Sequence, residues 1–278
     1  MTKYRNIPLL LSTILVLSLT AFAQTNRRAR LEDDSGVKTD VANLRFLADD
    51  QRDFSPAAKL YGYLILSVEP LKFAIPLTDI KSITSTIDKG QKNFKVLYIS
   101  WGQENKISGH IYGEFVCNSN VGQLKIPGNK LKELLFIDPP VATGQKEMHD
   151  QSLKKNRATL VLQNGTEISV GYLERYYTYY SRERYIIGGE YVDAHKDDFP
   201  FQRGGSLLTL NFGELNSIEV GSGGAVSVKL RNGNSISGTL VLSGENGVIG
   251  FTGISDNGDV FIDVKSVKRI EFDNVGAK

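Results

Sequence analysis

The chain has 278 residues, a formal charge of +2 and a single cysteine, Cys117. One thiol cannot close an internal disulfide, so the fold must rest on apolar cores. Lys3 and Arg5 are the only charged residues of 1–23, so the remainder balances at 33 − 2 = 31 basic against 31 acidic residues, which gives no electrostatic support for nucleic-acid binding.

The N-terminus reads as a secretory signal peptide over residues 1–23. Lys3 and Arg5 supply the positive start, Ile7 to Leu19 the apolar run, and Ala21-Phe22-Ala23 a small-x-small cleavage site before Gln24. No later segment has the roughly 20 apolar residues that a transmembrane helix needs. The expected location is therefore outside the cytoplasm, periplasmic or extracellular. Residues 24–58 are polar and read as a flexible leader, with Arg27-Arg28-Ala29-Arg30 set against Glu32-Asp33-Asp34. Within it, Val41, Leu44, Leu47 and Ala48 have the spacing of one short amphipathic helix, from which Phe46 falls away.

From Lys59 onward the texture is β. One aliphatic spacing, five positions and then three, occurs four times: Ile75, Ile80, Ile83; Ile126, Leu131, Leu134; Leu210, Leu215, Ile218; Ile262, Val267, Ile270. Such self-similarity marks a repeated supersecondary unit. Alternation before the first member, as in Phe73/Ile75/Leu77 and Val260/Ile262/Val264, predicts a strand, and the five-then-three step predicts a tight reversal into a short strand. Upstream, Val226, Val228 and Leu230 lead into Asn232-Gly233, the signal of a two-residue hairpin turn, and Ile236 and Gly238 return from it. Asn164-Gly165 and Trp101-Gly102 mark the corresponding turns, and the first unit, beginning at Leu60-Tyr61-Gly62, shows no opening strand.

Ile75 and Ile126 are 51 positions apart, Leu210 and Ile262 are 52, and Ile126 and Leu210 are 84. The excess falls in a polar linker, 138–156, and in a segment of about 172–204. The expected fold is all-β: tandem small β-barrel or β-roll units, four related repeats in two domains, 59–137 and 157–273. A strand, an Asn-Gly hairpin, a Gly-bearing return and aliphatics three apart (Val267 and Ile270) resemble the SH3-like and Sm-like β-barrel modules. That resemblance implies architecture alone; it carries over no RNA-binding residue.

Residues 172–201 concentrate tyrosine and arginine, residues that supply contact area and hydrogen bonding at binding sites. Tyr176, Tyr177, Tyr179, Tyr180, Arg182 and Arg184 are the ligand-binding candidates on that ground; the alternative is a long hairpin whose tyrosines pack inward. Asp193 to Asp198 includes His195 but is interrupted by Lys196, and Asp256-Asn257-Gly258-Asp259 lacks the rest of a calcium loop, so both read as loops or turns, with no metal and no cofactor expected. Gly221-Ser222-Gly223-Gly224 opens no helix and reads as a connector. Cys117 sits in an apolar run and reads as a buried, inert thiol. The sequence has no nucleophile elbow, zinc-protease helix or phosphate loop, so no catalytic residue is assigned. The expectation is an exported, non-enzymatic binding or scaffolding protein of the cell envelope, its partner a glycan or a protein. The alternative is a polysaccharide hydrolase with carboxylates on 172–204. A third course is self-assembly through edge strands.

Overall fold

The computed structural model describes residues 26–49, 62–100, 102–140, 156–181, 190–244 and 246–273, apart from the side chains of 179–181 and 190–193. The strands of the first half are β1 (Ala29–Asp33), β2 (Lys38–Ala48), β3 (Tyr63–Val68), β4 (Leu71–Pro76), β5 (Ile80–Asp88), β6 (Gln91–Ser100), β7 (Gln103–Ile111), β8 (Gly113–Ser119), β9 (Gly122–Pro127) and β10 (Leu131–Phe136). Those of the second are β11 (Ala158–Leu162), β12 (Glu167–Ser181), β13 (Glu190–Lys196), β14 (Asp198–Arg203), β15 (Ser206–Asn211), β16 (Leu215–Val220), β17 (Ala225–Leu230), β18 (Ser235–Leu240), β19 (Gly250–Ser255), β20 (Gly258–Asp263) and β21 (Val267–Phe272). Among the described residues the fold is all-β, with 21 strands joined in one antiparallel network.

The aliphatic triplets occupy equivalent places in that network. The first member lies on β4, β9, β15 or β20, a tight turn follows, and the second member opens β5, β10, β16 or β21. Three of the turns are single 3-10 turns, at Gly128–Lys130, Phe212–Glu214 and Val264–Ser266. The third members meet across antiparallel pairs, Ile83 opposite Leu134 and Ile218 opposite Ile270, all four buried. The five-then-three step is thus a strand, a turn of one helical pitch and a strand whose first and fourth residues reach the core.

Rows of apolar residues run outward from these pairs. In the first half the inner row is Leu31, Leu134, Ile83, Val96 and Ile107 on β1, β10, β5, β6 and β7. In the second it is Leu160, Ile270, Ile218, Val228 and Ile236 on β11, β21, β16, β17 and β18. Burying each aliphatic contributes about 1.5–3 kcal/mol against the entropy of ordering the chain. Beyond the rows, β7 crosses to β3 and β18 to β14, while β2 reaches β8 and β12 reaches β19. Gly109 and Gly238 sit at the first two crossings, where a Cβ would lie 2.4 Å from the carbonyl oxygens of Ser67 and Gln202 respectively. This close approach is the physical reason for the Gly-bearing return strands.

Two expectations need correction. Residues 29–33 and 38–48 of the expected leader are strands: β1 lies between β2 and β10, and Arg27 is buried. The Arg27 guanidinium donates to the carbonyls of Leu77 (3.1 Å), Thr78 (2.7 Å), Ile80 (2.8 Å) and Asp138 (2.6 Å) and lies 4.3 Å from the Phe136 ring centroid. The hairpin of β1 and β2 supplies the opening strand expected to be missing from the first unit, so the first half begins near residue 29 rather than 59. The expected helix at Val41 to Ala48 belongs to β2. Asn43 adopts φ +55° at a bulge, so Val41, Leu44 and Phe46 face inward together, and the three-residue step mimics a helical face. Residues 50–58 of the leader and the signal segment lie outside the described residues, as do 141–155 of the linker.

The turn at Asn232-Gly233 is also wider than expected. Gly233 donates to Leu230 (3.0 Å) and Leu230 to Asn234 (2.8 Å), and Asn164-Gly165 and Asp33 to Gly36 have the same pattern. The β19–β20 turn at Asp256-Asn257 is a hairpin turn, as expected. Trp101 lies outside the described residues. Cys117 is buried, and burial pushes its thiol up to about 11. Among the described residues, no helix is long and apolar enough to cross a membrane.

Candidate functional site

The Tyr/Arg segment folds inward where it is described. Tyr176 and Tyr177 are 2% and 4% exposed, so neither offers a surface to a ligand. Tyr176 packs edge-on against Phe261, with centroids 5.6 Å apart, and lies beside His195. Tyr177 lies under the Arg175 guanidinium, 4.1 Å from its ring centroid. Tyr179 and Tyr180 continue β12 opposite Val192 and Tyr191 of β13, and their side chains are not among those described. Arg182 and Arg184 lie outside the described residues.

The group that organises this region is Arg175, one of the segment's arginines but not among the ligand-binding candidates. It is 1% exposed, donates from Nε (2.8 Å) and Nη2 (2.6 Å) to Asp198, and donates from Nη1 to the Gly247 carbonyl (2.6 Å). His195 Nδ1 meets Thr252 Oγ1 at 2.9 Å. The expected loop at Asp193 to Asp198 is thus strand β13 and the start of β14, and its acid and imidazole are engaged separately. Among the described residues no cluster of His, Cys, Asp and Glu is arranged to hold a metal ion.

Open space lies instead on the outer face of the second half. Behind the inner row, Val161, Arg269, Glu219, Ser227 and Ser237 stand in register across β11, β21, β16, β17 and β18. They line a groove of about 520 Å³ with Val220, Gly221, Ala225, Val226, Gly238 and Lys268. That volume lies within the range of about 300–1,000 Å³ typical of small-molecule sites. Gly221 and Ala225, at the two ends of the Ser222–Gly224 3-10 turn, line one side of the groove, and the Gly221 N–H donates to the Ala225 carbonyl (2.8 Å), which keeps the β16–β17 link short. Arg269 is held along its strand by Glu271, with Nε 3.1 Å from the carboxylate. The groove therefore offers hydroxyls and charges of both signs over a partly apolar floor.

The corresponding outer row of the first half is Glu32, Glu133, Thr84, Lys95 and Ser108. Glu32 is paired with Lys132 (2.5 Å) and Lys38 (3.5 Å), and Lys132 holds its carboxyl below the ordinary range. Lys95 lies against Lys106, which it holds below the ordinary lysine range by hydrogen bonding and repulsion. Long side chains thus stand where the second half has Val161 and Ser227. The signal was present in the sequence as the run of small residues Gly221 to Ala225, Ser227, Ser237 and Gly238, but only strand register brings them together.

A smaller hollow of about 180 Å³ is lined by Tyr172, Glu174, Thr252, Gly253, Ile254, Asp259 and Val260. Burial pushes Asp259 up to about 6. Asp259 stands on β20 opposite Ala74 of β4, and its charge also raises the Tyr63 phenol, whose main cause of elevation is burial. The joint between the halves is enough to explain the Asp259 shift. Comparison with protein-family models, curated proteins and solved structures found no match.

Proposed function

We propose that the protein is an exported, non-enzymatic binding module of the cell envelope, built as four related β units in two domains, and that it takes a glycan strand in the groove of its second half. The single observation behind this reading is the open groove at Val161, Glu219, Ser227, Ser237 and Arg269, set against a first-half row that carries Glu32 and Lys95. Serine hydroxyls and charged groups in a partly apolar groove suit a polyhydroxylated chain, whose ring faces are apolar and whose rims are polar. The signal-like segment at 1–23 supports export, and the inner rows support the unit count. The test is binding to an array of envelope glycans by the wild type and by Ser227→Lys, which puts a first-half side chain into the groove. Binding weakened at least tenfold in a variant of unchanged thermal stability is the expected result; undiminished binding by that variant would refute the groove as the site.

A hydrolase is the second reading. It draws on Glu174 and Asp259 lining one hollow, with Asp259 raised towards the range of a general acid. It requires turnover of an envelope polysaccharide that is lost in both Glu174→Gln and Asp259→Asn. The hollow is about a third the volume of the groove, and strand burial already accounts for the Asp259 shift, so binding is the preferred reading.

A further inference from the structure

We propose that copies of this chain join head to tail through β15 of one and β9 of the next, extending between molecules the joint that β4 and β20 make within one. Inside a copy that joint is an antiparallel pair, with Leu71 opposite Ile262, Phe73 opposite Val260 and Ala74 opposite Asp259. The β19–β20 hairpin tip docks beyond it. The Tyr98 hydroxyl donates to Asn257 Oδ1 (2.9 Å) and the Ser100 hydroxyl to the Asp256 carbonyl (3.3 Å).

Strand for strand, β15 stands in the second half where β4 stands in the first, and β9 stands in the first where β20 stands in the second. β4 pairs with β3 as β15 pairs with β14, and β20 pairs with β19 as β9 pairs with β8. Within the copy β4 and β20 satisfy each other. Among the described residues, β15 pairs only with β14 and β9 only with β8. Each molecule therefore presents one edge of each kind, and a paired strand edge is a ready template for a further strand.

The side chains at the two ends agree with such a joint. Carrying the internal register over sets Leu124 opposite Leu208, Gln123 opposite Thr209, Lys125 opposite Leu207 and Ile126 opposite Ser206. Inside the copy Lys72 on β4 stands opposite Phe261 on β20, with its ammonium 5.6 Å from the ring centroid. Between copies the corresponding pair is Lys125 on β9 opposite Leu207 on β15, where the aliphatic stem of the lysine, whose ammonium lies 3.6 Å from Glu114, packs on the leucine. At the hairpin tip, Val121 takes the place of Asn257 and Leu230 the place of Tyr98, so a polar pair becomes an apolar pair with both partners changed together. Val121 is 87% exposed and Leu207 45%, which leaves apolar surface at both ends for a second copy to cover. Gly258 (φ +110°) lies where a Cβ would come 3.0 Å from the Ala74 carbonyl, and its counterpart Gly122 (φ +119°) has nothing within 4 Å, which is room for the next copy's Thr209. Because the two edges differ, the contact is heterologous, and it builds rings or open filaments rather than a closed dimer.

The joint uses none of the groove's side chains, so it stands or falls apart from glycan binding. The test is sedimentation velocity on protein expressed from the full chain, over a wide concentration range, for the wild type, Val121→Asp, Leu207→Lys and an equimolar mixture of the two variants. Both positions are exposed, and circular dichroism checks that the variants fold. The expected result is a wild-type mass that climbs beyond twice the monomer with concentration, while each variant alone stays monomeric. The mixture should double in mass and stop, because it holds one intact edge of each kind. A monomeric wild type at every concentration, variants that still grow, or a mixture that stays monomeric would overturn the proposal.

Discussion

In the first half the buried position on β2 opposite Phe115 is Phe46, whose ring centroid lies 4.9 Å from that of Phe115. In the second half the matching position on β12, opposite Phe251, is Arg175, which is tied to Asp198. Both strands bulge three residues earlier, at Asn43 (φ +55°) and Tyr172 (φ +48°), so the backbone plan is shared and the chemistry is not. The outer rows differ in the same way, with Lys95 where the second half has Ser227. The inner rows, by contrast, are aliphatic throughout. The comparison teaches that packing rows and close crossings fix this architecture, while residues off the rows are free to take up specific roles.

The largest effect is expected where the halves are most alike. Gly238→Ala and Gly109→Ala place a Cβ 2.4 Å from a backbone carbonyl, and each should destabilise by at least about 2–3 kcal/mol or prevent folding. Denaturant unfolding measures this, and a neutral result at either site would break the equivalence of the two crossings.

Next come the unlike positions. Arg175→Phe strands the Asp198 carboxylate and should cost about 3–5 kcal/mol, as for other broken buried pairs. The double variant Arg175→Phe with Asp198→Tyr imports the first-half residues Phe46 and Tyr63 and should recover most of that loss. A double variant no better than the single one would show that the surroundings, and not the pair, are specialised.

The joint between the halves carries a pH dependence. The Asp259 carboxyl is raised to about 6 in the fold against an ordinary value near 3.8, so the folded state binds its proton more readily than the unfolded chain does. This contribution favours folding most below pH about 4 and is lost as pH rises through about 6. Its size is on the order of 1–3 kcal/mol. Asp259→Asn should stabilise the protein at neutral pH and flatten the stability profile between those limits, as urea melts across pH would show. The smallest effect is expected for Lys95→Ser, which opens the first-half row to a second-half residue at an exposed position. Stability should change by less than about 0.5 kcal/mol.

Much of this architecture is legible in the sequence, because the aliphatic triplets lie on strands and turns that leave a local periodic trace. What escaped has specific physical causes. β1 and β2 carry the charged residues Arg30, Glu32, Asp33, Lys38 and Asp40 on a hairpin whose apolar partners are remote, so local composition reads as a leader. The bulge at Asn43 converts strand alternation into a helical-looking step. The tyrosines of β12 read as a surface because nothing local reveals that Tyr176 meets Phe261 or that Arg175, stacked on Tyr177, pairs with Asp198. The groove is a cross-strand feature: Ser227, Ser237, Glu219, Arg269 and Val161 become neighbours only through register.

The most direct test of the central claim is amide chemical-shift mapping of the protein titrated with soluble envelope-glycan fragments, because the first half serves as an internal control. Shifts are expected at Val161, Glu219, Ser227, Ser237 and Arg269, with none at Glu32, Thr84, Lys95, Ser108 and Glu133. Shifts spread equally over both rows, or confined to the first, would contradict the claim that the second half is the one specialised for binding.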